Sequence, residues 1–82
     1  MLTTLNDLDH DQARAAQLSL CIKALAPTES RRVRYATVQV LGRMEDPRAT
    51  ALLRQAMTND PDHEVRRAAA VLLRQRAEDG AR

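Results

Sequence analysis

The chain has 82 residues, 44 % of them hydrophobic and 29 % charged, a balance that suits one small globular domain and excludes a disordered chain. Tyr35 is its single aromatic residue, which argues against an aromatic-packed β-sandwich, a stacking platform for single-stranded nucleic acid and an aromatic ligand cage. The net charge of +2 divides as −1 over residues 1–27, +3 over 28–58 and 0 over 59–82, well short of a dedicated nucleic-acid binder.

Cys21 is the single cysteine, so an intramolecular disulfide is ruled out, and it reads as a reduced thiol on an apolar helix face. No apolar run approaches the ~18 residues of a membrane span. Met1-Leu2-Thr3-Thr4-Leu5 lacks the basic and apolar regions of a signal peptide. A cytoplasmic location is expected, and the Arg and Ala bias suits a bacterial source.

Helical periodicity dominates from the N-terminus onward. Leu2, Leu5 and Leu8 are spaced by three and Thr4-x-x-Asp7 is able to cap a short turn, so a separate short N-terminal helix is one expectation. The first long helix carries Ala15, Leu18, Cys21, Ile22 and Leu25 on one face. Asp9 or Asp11 is its expected N-cap, Asp9-x-x-Gln12 having the form of a capping box, and Pro27 ends it. The second helix has Val33, Ala36, Thr37, Val40, Leu41 and Met44 on its stripe, with Thr28 or Ser30 as cap and Gly42 near its end. Asp46-Pro47 opens a third helix bearing Ala49, Leu52, Leu53, Ala56 and Met57. Asn59-Asp60-Pro61-Asp62 breaks it and starts a fourth with Val65, Ala68, Ala69, Leu72 and Leu73; residues 78–82 read as a fraying tail. No stretch alternates with the period of a strand. The fold class is all-α.

A shift of 32 residues lays the chain on itself. Val33-Arg34-Tyr35-Ala36 falls on Val65-Arg66-Arg67-Ala68, Leu41 on Leu73, and Leu20-Cys21 with Ala24 on Leu52-Leu53 with Ala56. A period near 30 built of two helices predicts a helical solenoid. The segment from Val33-Arg34 through Leu41-Gly42-Arg43-Met44-Glu45-Asp46-Pro47, then Leu52-Leu53, then Asp60-Pro61-Asp62-His63-Glu64-Val65-Arg66 resembles the short HEAT-like repeat of the phycobilisome-lyase type. The likeness covers about residues 28–77. It implies a small α-solenoid of antiparallel helix pairs, with 1–27 a degenerate half-repeat or cap, 28–59 a repeat and 60–77 the next repeat's C-terminal helix. It also implies a ladder between neighbouring repeats, from the Asp before a helix to the Arg after its Val. Arg34, Asp62 and Arg66 fit that ladder, with Thr28 and Ser30 standing where Asp60 and Asp62 stand one repeat later. Nothing in the chain points to a tetrapyrrole site.

Asp9-His10-Asp11 and Asp62-His63-Glu64 are His–carboxylate clusters, but each is expected at a helix start, where acids favour the positive end of the dipole. No metal, cofactor or catalytic constellation follows from them. In the solenoid that the resemblance implies, the second helix of each pair lines the concave face. Arg48, Arg54 and Gln55, extended by Lys23, are the expected basic row for an acidic peptide or a phosphate backbone. Tyr35 and Val38 lie off the main stripe, three residues apart, and are expected to form a small exposed apolar patch on the outer side.

So short an array leaves an end uncovered, a physical reason to expect a protein partner or a homodimer. The chain reads as a non-enzymatic protein–protein interaction module: an adaptor, chaperone-like or regulatory subunit of a bacterial complex. The alternatives are nucleic-acid binding through a basic concave face, and an accessory subunit of a lyase or other enzyme.

Overall fold

The described residues form four helices: α1 (Leu2–Ala24), α2 (Arg31–Arg43), α3 (Pro47–Asn59) and α4 (His63–Gly80). They are seen in a computed structural model that describes residues 2–80, with side chains from residue 10 onward. No strand occurs among the described residues.

The predicted break near the N-terminus is absent. Leu2, Leu5 and Leu8 belong to the same uninterrupted α1 as Leu18 and Cys21, and the side chains of residues 2–9 lie outside the described ones. Asp9 and Asp11 are therefore inside a helix and are not its N-cap. Between residues 2 and 24 there is neither Gly nor Pro, so nothing forces the helix to stop, and Asp costs only a fraction of a kcal/mol inside one (about 0.7 at most). At the other end of the chain α4 runs on to Gly80, so Glu78 and Asp79 extend the helix where a frayed tail was expected.

The inner boundaries follow their caps. Ser30 Oγ accepts the N–H of Val33 at 3.2 Å and starts α2. Asp46 accepts the N–H of Arg48 at 2.8 Å, with Pro47 in the first turn of α3, where a missing N–H leaves nothing unsatisfied. Asp62 accepts the N–H groups of Glu64 and Val65 at 2.8 and 3.1 Å and starts α4.

Turns of three residues, 44–46 and 60–62, reverse the chain twice, so α2 and α4 run in one direction and α3 against them. α2 and α4 pack side by side along their lengths and form one layer, with α3 against both. α1 touches α2 and α3 only weakly. The core comprises Val38 and Leu41 of α2, Ala49 and Leu53 of α3, and Val65 and Ala69 of α4, all fully buried, with Leu18 and Cys21 of α1 at its edge. Ala15 and Ile22, predicted on the core stripe of α1, are exposed.

The buried face of α2 differs from its predicted stripe. Arg34, Thr37, Val38 and Leu41 point inward, while Val33 and Val40 remain partly exposed. Val38 is thus a core residue and not part of an exposed patch with Tyr35. A helix between two neighbours has two apolar faces, and α2 turns the Val38–Leu41 side toward α3 and α4. The resulting body is flat, 47 × 34 × 15 Å, with a radius of gyration of 13.9 Å. A globular chain of this length would have about 12 Å, so the helices are laid out as a plate.

Two arginines fasten the plate. Arg34 Nε donates to both carboxylate oxygens of Asp60, at 3.3 and 3.1 Å, and its Nη1 donates to the Glu29 carbonyl. Arg76 of α4 reaches back to the α2–α3 turn. It donates to the carbonyls of Leu41, Gly42, Met44 and Asp46 at 3.3, 3.2, 2.7 and 3.1 Å, and to Thr50 Oγ1 at 3.0 Å. These carbonyls include orphan acceptors at the C-terminus of α2, where a cation is favoured.

Candidate functional site

An open apolar groove lies between α1 and α2, formed by Leu20, Cys21, Ala24, Val33, Ala36 and Val40. Leu20 is 65 % exposed, and Val33 and Val40 are 39 % and 37 % exposed. Thr37 and Gln17 complete the walls. The Thr37 hydroxyl is occupied, donating to the Val33 carbonyl at 2.7 Å. The groove exists because α2 buries Val38 and Leu41 and leaves its second apolar face toward α1, whose packing covers it incompletely. Cys21 lies under the groove, and burial pushes its thiol above the ordinary value, which keeps it protonated and poorly nucleophilic.

The predicted basic row does not assemble as one surface. Arg48 is held by Asp46 at 2.8 Å and by Asp11 of α1 at 3.3 Å, closing the α1–α3 side with an exposed pair. Arg54 and Lys23 are exposed, while Gln55 lines a crevice with Leu25, Pro27, Asn59 and Pro61 at the opposite end of α3 from Arg48. Six residues along a helix also turn Arg54 about 240° from Arg48. α3 packs against α4 and α2, and the described part of α1 touches α3 only lightly.

Tyr35 is 40 % exposed on the α2–α4 layer. It stands between two shallow hollows, one with Arg31, Arg32 and Ala36, the other with Gln39, Ala68 and Val71; Glu64 borders both. The mixed charge there gives no single-sign binding surface.

The ladder residues take different partners from those expected. Arg34 crosses to Asp60, the acid before Pro61. Asp62 instead caps α4 and pairs with the exposed Arg31 at 3.0 Å. Partial burial works to raise the Asp62 carboxyl, but the N–H of Val65, the Arg31 guanidinium and the N–H of Glu64 outweigh it and hold it below the ordinary value. Arg66 donates to the Asp60 carbonyl at 2.7 Å, because the turn at Pro61 presents that carbonyl, and not the Asp62 side chain, to α4. Asp46 is lowered to about 2 by the hydrogen bond from the Arg48 side chain, then by the Arg48 N–H. His10 is exposed in mid-α1 and His63 opens α4. Among the described residues no three His, Cys, Asp or Glu side chains converge on a common point. Nor is any helix there long and apolar enough to cross a membrane.

Helices stacked on their own equivalents, joined by short turns, tied by an arginine to an acid of the next repeat and left open at one apolar face, define a helical repeat array. The chain belongs to the HEAT repeat family, whose sequence profile matches residues 1–78. No curated protein and no solved structure matches it.

Proposed function

We propose that the chain is a non-enzymatic protein–protein interaction module, an adaptor, chaperone-like or regulatory subunit acting in the bacterial cytoplasm, and that it docks its partner in the α1–α2 groove. The observation that carries this reading is the exposure of Leu20, Val33 and Val40 along one continuous depression. Isolated exposed apolar residues are ordinary on a soluble protein, but a contiguous set rimmed by polar residues marks an interaction surface. Membership of the HEAT repeat family supports it, since such repeats commonly serve as scaffolds for protein contact. In this reading residues 1–27 are a half-repeat or cap, 28–59 the central repeat and 60–77 the helix that closes it.

Nucleic-acid binding is the weaker reading. Arg31, Arg34, Arg48, Arg66 and Arg76 are engaged within the chain, and its 13 basic residues are offset by 11 acidic ones for a net charge of only +2, too little for a surface that grips a phosphate backbone.

A photo-crosslinking side chain placed at Val40, and at Arg54 as the control, tests the reading in cells. A partner protein captured from position 40, absent from position 54 and lost on Leu20→Asp, is the expected result. Equal capture from both positions, or none from position 40, overturns it.

A further inference from the structure

The internal repeat says what kind of surface fits the groove. The 32-residue shift carries Val33, Ala36, Thr37 and Val40 of α2 onto Val65, Ala68, Ala69 and Leu72 of α4. In the second repeat that face is covered: Val65 and Ala69 are fully buried, and Ala68 and Leu72 are half-buried. It is covered by α3 and α2 together: α2 buries Val38 and Leu41 in the same core as Val65 and Ala69 and brings Gly42 onto Leu72. A Cβ at position 42 would lie 2.6 and 2.9 Å from the two δ carbons of Leu72 and 3.1 Å from its γ carbon, so the two helices approach closely there. In the first repeat the equivalent face is the open groove.

Resting on the docking reading above, we infer that the groove takes an amphipathic α-helix of a partner protein, running in the direction of α2 and imitating how α2 covers α4. Its contact edge carries a Val- or Leu-sized residue, another one turn on, and a Gly or Ala directly after. That small residue stands over Val40, which occupies the place of Leu72. Val ends at its γ carbons, so the helix there has room for a methyl group and not for a Leu side chain. The ladder sets a second condition. In the internal interface Arg34 of the covering helix finds Asp60, but the residue one repeat earlier is Thr28. The partner helix therefore lacks an arginine at that point, because a guanidinium would be desolvated without a carboxylate.

A second copy of the chain fits poorly. Continuing the array head to tail would bring the outer face of α4 onto the groove, with Ala70, Leu73 and Arg74 in the places of Val38, Leu41 and Gly42. Arg74 would set a charge and a long side chain where the smallest residue is needed.

The probe is a peptide of residues 31–44 of this chain with Arg34→Gln, kept helical by a hydrocarbon link between positions 36 and 40, opposite the Val38–Leu41 edge. It is titrated into the full chain labelled for amide spectra. Saturable shifts are expected at Cys21, Ala24, Ala36 and Val40. Gly42→Leu in the peptide weakens binding at least about tenfold, and so does Leu20→Asp or Val40→Asp in the chain, at exposed sites where the circular dichroism stays native. The inference is overturned by the absence of saturable shifts, by shifts centred on Tyr35, or by equal binding of the Gly42→Leu peptide. Groove shifts that grow with protein concentration alone would assign the groove to a second copy. If position 40 captures a partner in cells while the peptide fails, the docking reading stands and the helical occupant does not.

Discussion

Arg34 and Asp60 lie 26 residues apart in sequence and form an ion pair whose side chains are 7 % and 3 % exposed. The pair joins the first turn of α2 to the turn that precedes α4. Asp60 also accepts the N–H of Asp62 at 2.9 Å, so its carboxylate organises that turn as well. Removing one partner leaves a buried charge without compensation, which costs about 3–5 kcal/mol. A chain of this size has a total stability of about 4–12 kcal/mol. Arg34→Ala and Asp60→Ala are each expected to shift the urea midpoint strongly downward, and the double replacement to cost much less than their sum. Additive losses would show that the two residues act separately.

Gly42 faces the Leu72 side chain, which must give way to any Cβ there. Alanine gains about 1 kcal/mol of helix preference over glycine, and the end of a Leu side chain moves easily. Gly42→Ala is therefore expected within about 1 kcal/mol of the parent in thermal unfolding. Gly42→Val is expected to lose about 1–3 kcal/mol through overpacking. A stabilised Val variant would show that the α2–α4 contact is looser than these distances.

Arg76 satisfies four carbonyls with one guanidinium, and hydrogen bonds to charged groups are each worth about 1.5–3 kcal/mol when lost. Arg76→Met keeps much of the apolar stem and removes the donors. It is expected to destabilise the chain by at least about 2 kcal/mol, the worth of one such bond, and to speed amide exchange around Met44–Asp46 ahead of the centre of α3. Unchanged exchange at that turn would remove Arg76 from its role as a fastener.

Asp46 has a folded-state pKa of about 2, below the ~3.9 of an unfolded aspartate. Its contribution is complete above about pH 4 and is lost as the pH falls toward 2, because the unfolded chain takes up the proton first. The melting temperature of the parent should therefore drop more steeply between pH 4 and pH 2 than that of Asp46→Asn. Parallel curves for the two proteins would refute the assignment.

Val38 and Tyr35 separate core from surface on one helix. Val38→Ala removes buried carbon and leaves a void, for a loss of about 2 kcal/mol. Tyr35→Ala, at a site 40 % exposed, is expected within about 0.5 kcal/mol of the parent. Chemical denaturation of the two variants side by side decides between the observed burial and the patch expected from sequence.

The elements that were legible in the sequence are those marked by local chemistry. Ser30, Asp46-Pro47 and the Pro61 turn fix three helix starts because capping acts over two or three residues. α1 misled because Asp9 and Asp11 have cap chemistry in a segment with no helix breaker. The face of α2 misled because a helix inside an array has apolar residues on two sides, and periodicity alone does not rank them. The overlay of Val40 on Leu72 was the available signal, since it pairs a covered face with an uncovered one. The choice of Asp60 over Asp62 depends on how the turn is folded, and Arg76 binds backbone carbonyls 30 to 35 residues away, a bond with no local pattern at all.

That long reach bears on how the chain is made. A ribosome completes α2, the turn and α3 before it adds Arg76, which comes 30 residues after Asp46. The corner between α2 and α3 thus emerges without the group that satisfies its carbonyls, and water must serve in the interval. Native closure of that corner waits for α4, so a helix synthesised later completes a corner formed earlier.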